Sequence, residues 1–461
     1  MPSLSDFFTG NEITPAAIWN IAREIIPIER VQALLKEHGV QEQRQRSLPM
    51  VLVVWLCIAL CWQARRSSQS ILSRLLEIPS LFNPEAYLKV ASRSAISQAR
   101  YRLGASIFAD LFKQVCQGLV REPTHWSHRF GLHLMALDGS VETVKDTAAN
   151  ARYFGRSSGR YGDAAYPSCR VVYLIECGTH AIVDAAIGIY HQAECRLAWR
   201  LLRSVKANML VLIDAGLTSF DYVYRIQAAA SHILAPPASG AKLKVARRLS
   251  DGTYLTWLKP THRSRHRAAR PIQVRVITYH VNDPAAPHAH RTRQLITTLL
   301  DPLAYPALDL IECYHQRWEI ELTIDEIDSH QRLPNHPFRS RHPVGVIQEF
   351  YAMLIAHYIL RYFMWRTAQV HHLDPDRLSF TFTLDIVWDA LPLFQLMPSQ
   401  FHPLLLRWLE TWLLQVLNPP RVLRWNPRVI KRQRSKFPLK KHEHFHPPKP
   451  TYAFRDSIVL T

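Results

Sequence analysis

Residues 169–190 read CRVVYLIECGTHAIVDAAIGIY, two apolar runs on either side of Gly178-Thr179-His180. Such runs around a short turn segment predict a β-hairpin. The stretch before it, FGLHLMALDGS (130–140), is a further apolar run that ends in Asp-Gly. Downstream, the helical patterns LAWRLLRSV and DYVYRIQAAA alternate with the short strand patterns NMLVLIDAG and HILAP. Strands that alternate with helices after an initial hairpin predict a mixed α/β sheet.

The first 125 residues have a different pattern and are predicted to be helical. Apolar residues recur at helical spacing in IIPIERVQALLKEHGV, and ASRSAISQARYRLGASIFADLFKQVCQGLV follows as one or two more amphipathic helices. Arg93, Arg100 and Arg102 lie in the second segment among several serines. Two interpretations of this basic side stay open, namely an ordinary solvated face and a helix that contacts DNA.

The most apolar run, LPMVLVVWLCIALCW (48–62), is too short to cross a bilayer and has arginines on both sides. It is predicted to be a buried core helix. The N-terminal MPSLSDFF has neither the basic nor the apolar region of a secretory signal. The cysteines form no CxxC pair, which argues against a metal or redox motif. We therefore expect a reduced, cytoplasmic protein with no membrane partner.

The charge is strongly basic, with a formal net charge of +19 and a pI near 9.8. This balance indicates a polyanionic partner, most commonly DNA or RNA. Residues 242–275 hold ten bases and one acid, and alternation in TYLTWL and QVRVITYHV predicts strands there. Residues 421–441 hold nine bases and no acid, which predicts a flexible arm that binds phosphates.

Two aspartates stand out against this basic background. Asp138 follows the strand pattern GLHLMAL, and Asp214 closes the strand pattern MLVLI. A carboxylate at the end of a buried strand is costly unless it is paired, hydrogen-bonded or bound to metal. For either residue alone, a turn-capping aspartate is the more ordinary interpretation.

A third carboxylate comes from YHQRWEIELTIDEIDSH (314–330). When the stretch is drawn as a helix at about 100° per residue, Tyr314, Arg317 and Glu321 share one face. Glu321 is therefore the acid held beside a guanidinium and a phenol. Of the other acids, Glu312, Glu319 and Glu326 fall on the opposite face, whereas Asp325 and Asp328 fall near the face of Glu321. Two aspartates and one glutamate offer the oxygen ligands that Mg²⁺ prefers, and two such ions about 4 Å apart support phosphodiester chemistry.

These residues resemble the insertion element 4 family of bacterial DDE transposases. Tyr314-x2-Arg317-x3-Glu321 matches the family signature Tyr-x2-Arg-x3-Glu-x6-Lys, and the segments around Asp138 and Asp214 look like its two catalytic aspartates. Further segments similar to the family are CGTHAIVDAAIG, TTLLDP (297–302), SKFPLK (435–440) and RQRSLPMVLVVWLCIAL near the front. The likeness runs over nearly the whole chain.

The resemblance implies an α/β fold with an RNase H-like mixed-sheet catalytic core and a β-rich insertion. In chain order it implies a helical N-terminal DNA-binding domain (1–125), the first part of the core (126–236), a basic β insertion (237–300), the second part of the core with the Glu-bearing helix (301–365), and a C-terminal helical region with a basic tail (366–461).

The resemblance also implies DNA transposition of an insertion sequence. Asp138, Asp214 and Glu321 would hold two Mg²⁺ or Mn²⁺ ions, and water would nick the end of the element. The freed 3′-hydroxyl would then form a hairpin and later attack target DNA. Tyr314 and Arg317 would grip phosphate. The implied partners are double-stranded DNA (the terminal inverted repeats and the target) and a second copy of the chain, at the bacterial nucleoid.

The chain departs from the family signature at one position. Asp328 stands where the family has Lys, and an acid cannot neutralise a phosphate. Either another residue such as Arg332 takes over this contact, which we favour, or this copy is impaired. Two other functions stay open, a nuclease of the same fold that cuts without strand transfer and a non-catalytic DNA-binding relic.

Three further residues are predicted to contact DNA. Arg156 and Arg160 lie in RYFGRSSGRYGD, which is predicted to be a loop next to Asp138. Trp257 lies in the basic insertion and could stack on an extruded base. Packing inside the insertion is the more common role for such an aromatic residue.

Overall fold

The structure of the protein is a computed structural model. It describes residues 25–42, 48–63, 65–76, 90–120, 122–159, 162–262, 264–284, 291–332, 336–396, 401–420 and 450–461. The chain divides into two compact units. The helical unit comprises residues 1–119, 143–154 and 324–419, and the sheet unit comprises residues 120–142, 155–323 and 420–461. The predicted phosphate-binding arm (421–441) lies outside the described residues.

The helices and strands are numbered here in chain order. The helices are α1 (Ile28–Glu37), α2 (Met50–Leu60), α3 (Ser68–Leu76), α4 (Arg93–Leu103), α5 (Ser106–Val115), α6 (Ala148–Phe154), α7 (Glu194–Leu201), α8 (Phe220–Ala228), α9 (Ala307–His315), α10 (Trp318–Asp325), α11 (Pro343–Val370), α12 (Phe380–Leu396) and α13 (His402–Gln415). The strands are β1 (His128–Arg129), β2 (Leu132–Thr143), β3 (Ser158–Gly159), β4 (Gly162–Asp163), β5 (Ser168–Glu176), β6 (Ala181–Ile189), β7 (Met209–Ile213), β8 (His232–Ala235), β9 (Arg247–Arg248), β10 (Tyr254–Leu258), β11 (Ile272–Val281), β12 (Arg293–Thr297) and β13 (Ile458–Leu460).

One large sheet organises the sheet unit, with strand order β6-β5-β2-β7-β8-β12-β11-β10-β9. β2, β7 and β8 run parallel, whereas β5 and β6 form an antiparallel hairpin. The mixed α/β sheet predicted from the sequence is confirmed. The order makes β2 and β7 neighbours inside the sheet, so the residues that follow their paired segments lie side by side.

The hairpin of β5 and β6 turns where the sequence predicts it. Gly178 and His180 both have positive φ, +84° and +57°, which allows the chain to reverse between the strands. Nearly every residue of β5 is buried. Leu197 and Leu201 of α7 join Val172 and Leu174 of the hairpin in one apolar core. This two-sided cover explains why the strands read as continuous apolar runs.

The basic β insertion extends the same sheet. β12 pairs antiparallel with β8 through Ile296↔Ala235 and Thr297↔Leu234, and β11, β10 and β9 follow outward. One of the ten bases in residues 242–275 is structural. The Arg275 side chain is fully buried, binds Asp251 and donates to the Tyr305 carbonyl at 2.6 Å. It is therefore not available to a phosphate.

The helical unit has its core around α2 and α11. Most of α2 is buried, which confirms the predicted core helix. Within the described residues, α11 is the one helix long and apolar enough to cross a membrane, and most of its apolar stretch is buried inside the unit. It is held there by polar bonds as well, because the Trp62 indole donates to the Ala356 carbonyl at 2.9 Å.

Candidate active site

Two central strands place Asp138 and Asp214 next to each other. β2 and β7 are paired in parallel up to Leu137↔Ile213, and the next residue on each strand is an aspartate. Neighbouring strands lie about 4.8 Å apart, so the two carboxylates start from adjacent backbone positions. The expectation that the first strand ends before Asp138 is wrong, because β2 continues to Thr143. What ends there is its pairing with β7, since β7 itself stops at Ile213.

Both aspartates are oriented by the same local bond. Asp138 Oδ1 accepts from the Gly139 amide at 2.8 Å, and Asp214 Oδ1 accepts from the Ala215 amide at 2.7 Å. A carboxylate tied to the next backbone N–H has little rotational freedom. The two acids are therefore held in matching positions, on one edge of the sheet.

Arg317 brings Glu321 to the first aspartate. Its Nη1 donates to Asp138 Oδ2 at 3.0 Å, and its Nη2 donates to Glu321 Oε1 at 3.2 Å. The Arg317 side chain is only 7% exposed. Burial alone disfavours the charged guanidinium, but Tyr314, Asp138, Glu321 and Asp214 outweigh it and raise the pKa of Arg317. The arginine is therefore a permanent cation shared by the acids.

The helix that carries these residues is broken, which the sequence analysis did not predict. α9 ends at His315 and α10 begins at Trp318. Between them the Gln316 and Arg317 amides bind carbonyls three residues back, at Cys313 and Tyr314, which is the tighter 3₁₀ pattern. Arg317 still contacts Glu321 four residues later, because the chain is helical again from Trp318 onward.

Tyr314 anchors this break to the sheet. Its hydroxyl lies 3.4 Å from the Ile213 carbonyl, as a donor, directly before Asp214. Burial raises the pKa of Tyr314 well above its usual value, so the phenol stays protonated. The tyrosine therefore positions the helix at the end of β7, and its predicted contact with phosphate stays a prediction.

The acids assigned to the opposite helix face have partners elsewhere. Glu319 is buried and accepts from the Gly178 amide at 2.6 Å, and Glu326 lies in the helical unit beside His357 and Arg361. Glu312 binds Arg455 at 2.6 Å. Of the acids in residues 312–328, Glu321 is thus the one that shares Arg317 with Asp138.

Comparisons with known proteins identify the family of this chain. The family model described as "Insertion element 4 transposase N-terminal" matches residues 18–113, and the one described as "Transposase DDE domain" matches residues 130–359. The chain is 29% identical over 418 residues to the transposase InsG for insertion sequence element IS4 of Escherichia coli (strain K12), which covers 89% of this chain and 91% of that protein. The chain belongs to the insertion element 4 family of DDE transposases.

One solved structure is similar over most of its length. A cryo-EM structure of a piggyBac transposase synaptic complex with hairpin DNA matches 90% of this chain and 90% of its own, at 10% identity and a TM-score of 0.42. The DDE domain matched by residues 130–359 of this chain implies a DNA-processing enzyme that uses a divalent metal. Asp138, Asp214 and Glu321 offer the carboxylate oxygens that such an ion prefers.

A fourth carboxylate of the transposase was missed by the sequence analysis. Glu194 begins α7, and burial followed by the charge of Asp138 raises its pKa, while Arg170 opposes the shift. An acid in the first helical turn is ordinary, because it complements the helix dipole. For that reason HQAECRLAW carries no signal that separates Glu194 from a helix cap.

Gly139 in the LDGS segment is required for close packing. A Cβ built at position 139 would lie 2.9 Å from Glu194 Cδ and Oε1 and 2.9 Å from the Val171 carbonyl. Since the backbone oxygen cannot move aside like a flexible side chain, we expect Gly139→Ala to lower the free energy of unfolding by about 1–3 kcal/mol, as overpacking does. Chemical denaturation measures this loss.

Gly216 supplies the matched control for that prediction. It follows Asp214 by two residues, its φ is not in the left-handed range, and a Cβ there meets nothing within 4 Å. Gly216→Ala should leave stability within about 0.5 kcal/mol of the parent. Equal losses in the two variants would contradict the packing argument.

The other predicted DNA contacts are placed differently. Arg156 Nη1 donates to the Ala164 and Ala165 carbonyls, which ties down its loop, and Arg160 lies outside the described residues. The expectation that Trp257 packs inside the insertion is wrong, because its side chain is 50% exposed on β10. Its stacking on a base stays a prediction.

Arg332, which we predicted to replace the phosphate contact of the signature lysine, is already bound to another residue. Arg332 Nη2 donates to Asp328 Oδ1 at 3.1 Å, and its guanidinium lies over the Phe338 ring at 4.7 Å. Asp328 belongs to a π-helical turn, Glu326–Gln331, and Arg332 directly follows it. Arg332 is thus paired with the very acid that replaces the family lysine, so its predicted phosphate contact would need that pair to open.

Proposed function

We propose that this transposase cleaves the ends of its own element in the presence of Mg²⁺ and joins them to target DNA, with Asp138, Asp214 and Glu321 as the catalytic acids. The supporting observation is that the Arg317 guanidinium binds both Asp138 and Glu321. Asp138 is itself next to Asp214, because each follows the paired residues Leu137 and Ile213. An arginine that links acids from a strand and a helix far apart in sequence indicates one shared site.

The proposed reaction is a series of phosphoryl transfers. Water attacks the phosphorus at the junction of element and flank, and the P–O3′ bond breaks to leave a 3′-hydroxyl on the element and a 5′-phosphate on the flank. That hydroxyl attacks the phosphorus of the opposite strand, expels the flank's 3′-oxygen and closes a hairpin. A second hydrolysis reopens the hairpin, and the 3′-hydroxyl finally attacks a target phosphodiester. Each step forms one P–O bond and breaks another.

The chain's own residues prepare this chemistry. When bound, divalent ions activate the attacking oxygen and stabilise the leaving one, and Asp138, Asp214 and Glu321 would hold them. Arg317 keeps Asp138 and Glu321 facing each other. Its planar fork suits a phosphate oxygen pair, but this contact would need its bonds to the two acids to open. Tyr314 fixes the start of this segment against the end of β7.

The experiment is an end-cleavage assay with the purified protein, Mg²⁺ and DNA that carries an element end with its flank. We expect a 3′ nick followed by a hairpin product. With pre-nicked ends and target DNA we expect joined products, whereas a nuclease of the same fold would give none. A protein that binds the ends but never nicks them, with Asp138→Asn indistinguishable from the parent, would be the non-catalytic relic.

Two copies of the chain are proposed to act together during transposition. Joining both ends of one element to one target requires two active sites to act together, so we propose a homodimer on paired terminal repeats. The mass of the complex formed with end DNA should correspond to two chains and two ends, and a complex of one chain with one end would contradict this pairing.

The exposed face of α4 is the DNA interface that we propose in the helical unit. Its Ile96, Ala99 and Leu103 are buried, and the opposite side is exposed and without acids, with Arg93, Ser94, Ser97, Gln98, Tyr101 and Arg102. The eleven residues span about 16 Å at 1.5 Å per residue, and a helix of this kind fits the major groove. Arg100 does not belong to this face, because it donates to Ser340 Oγ at 3.1 Å inside the unit.

Substitutions on α4 should separate base contacts from phosphate contacts. We expect Gln98→Ala to weaken binding to the terminal repeat by about 1–3 kcal/mol with little effect on unrelated DNA, as loss of a base contact does. Arg102→Ala should weaken binding to both DNAs and reduce the salt slope by about one. Fluorescence anisotropy at several salt concentrations measures both.

Lys36→Ala is the matched control for α4. Lys36 is an exposed base in the last turn of α1, so its loss removes the same charge from another helix of the unit. We expect it to change affinity for the terminal repeat by less than about 0.5 kcal/mol. If Lys36→Ala weakens binding as much as Arg102→Ala, the contribution comes from net charge and not from the α4 face.

A further inference from the structure

We infer that Glu194 is a fourth carboxylate of the active site, which strengthens binding of the divalent ion beside Asp138 and Asp214. This inference rests on the proposed function, because it assigns a positioning role at the same site. Neither the family signature nor the sequence pattern points to this residue.

Glu194 reaches the site because the chain leaves room for it. Its carboxylate lies against the backbone directly after Asp138, where Gly139 has no side chain and where any Cβ would come within 2.9 Å of Glu194 Oε1. Asp138 and Asp214 both interact electrostatically with Glu194. The glycine thus brings a third element, the start of α7, to the edge already shared by β2 and β7.

Arg170 holds Glu194 in this position. On β5, its Nη1 donates to Glu194 Oε2 at 3.1 Å, and both side chains are partly exposed. A single exposed ion pair contributes little to stability. Its main effect is to orient the Glu194 carboxylate, because Arg170 binds Oε2 while Oε1 lies near position 139. Glu194 is thereby fixed against the backbone of β2, one residue after Asp138.

Like charges gathered at one edge repel each other, and a cation relieves this repulsion. Arg317 compensates Asp138 and Glu321, and Arg170 compensates Glu194, so two arginines face four acids. The remaining negative charge favours a divalent ion. Removing an acid should therefore weaken cation binding, whereas removing an arginine should not.

Two substitutions break the same ion pair and separate these effects. We expect Glu194→Gln to raise the dissociation constant for Mn²⁺ about 10-fold, in the range for residues that support a metal site. Arg170→Gln should leave the constant unchanged or lower it. Asp456→Asn, which removes an exposed acid elsewhere in the sheet unit, is the control and should not change it. Calorimetric titration of the full-length protein with Mn²⁺ measures all three.

Melting temperatures with and without Mn²⁺ provide a second measurement. Glu194→Gln should show a smaller upward shift on addition of Mn²⁺ than the parent, and Arg170→Gln an equal or larger one. If both substitutions weaken Mn²⁺ binding alike, Glu194 only holds α7 in place and the inference is overturned. Should Glu194→Gln fail to fold, Arg170→Gln still decides, since weaker binding there contradicts the charge argument.

Asp138→Asn separates this inference from the proposed function. If Asp138→Asn abolishes Mn²⁺ binding and Glu194→Gln leaves it unchanged, the active site stands and only the role of Glu194 is lost. If Asp138→Asn also leaves binding unchanged, the assignment of the catalytic acids itself is wrong.

Discussion

Glu321→Gln should abolish end cleavage and leave DNA binding intact. Glutamine keeps the shape of the side chain, and its amide oxygen can still accept the bond from Arg317 Nη2 seen at 3.2 Å, so the fold should be preserved. What is lost is a negative ligand for the divalent ion. Loss of a residue that only supports a metal ligand costs about 10–100-fold, so removal of a ligand itself should lower the cleavage rate by more than that. Single-turnover nicking measures the rate, and gel shift measures binding.

Glu319→Gln is the matched control, two residues away in the same helix. Glu319 is buried and accepts from the Gly178 amide at 2.6 Å, a bond that a glutamine oxygen can also accept. We expect this variant to fold, bind DNA and cleave close to the parent rate. If both glutamine variants lose cleavage to the same extent, the assignment of Glu321 to the catalytic side of the helix is wrong.

Arg317→Met should destabilise the protein and change its response to cations. The guanidinium is 7% exposed and binds two acids, so its removal leaves two carboxylates without their shared partner. We expect the free energy of unfolding to fall by about 3 kcal/mol, the lower end for a broken buried ion pair, because Asp138 and Glu321 keep some contact with water. Added Mg²⁺ should then raise the melting temperature more than in the parent, since the cation replaces the lost charge.

Two further variants test this explanation. Arg317→Lys keeps one charge, but a single ammonium cannot span both acids as a fork does, so its stability should be intermediate. Arg200→Met removes an exposed arginine from the last turn of α7 and should change stability by less than about 0.5 kcal/mol. An Arg317→Met protein as stable as the parent, or one that gains no extra stability from Mg²⁺, would contradict a bridging role.

Much of the fold could be predicted from the sequence because the signals are local. The apolar runs predict the β5–β6 hairpin and the strand before Asp214, with boundaries close to those of the structure. They also predict β2, but not its continuation past Asp138 to Thr143. The spacing of Arg317 and Glu321 is likewise short-range, so their contact follows once that turn is helical. The exception is the break between α9 and α10, where tertiary packing of Tyr314 against β7 overrides the helical pattern.

In the basic β insertion, local sequence patterns predict the strands but not how they pair. Alternation predicts its strands, but the pairing of β12 with β8 joins segments that are separated by β9, β10 and β11. Burial of Arg275 and exposure of Trp257 follow from that arrangement. Composition alone treats all ten bases of residues 242–275 as equal and predicts that an aromatic residue is buried, because it contains no information on which face of the sheet is covered.

By itself, the sequence determined the mixed α/β class, the positions of three separated acids and the Arg317–Glu321 spacing, since these depend on neighbours a few residues apart. Only the tertiary structure decided that Arg317 also binds Asp138, that Glu194 lies against Gly139 and that Asp328 is paired with Arg332. The first two contacts join residues far apart in the chain, and strand order and helix packing set them. The third depends on a rotamer choice among competing partners, which i,i+4 spacing permits but does not impose.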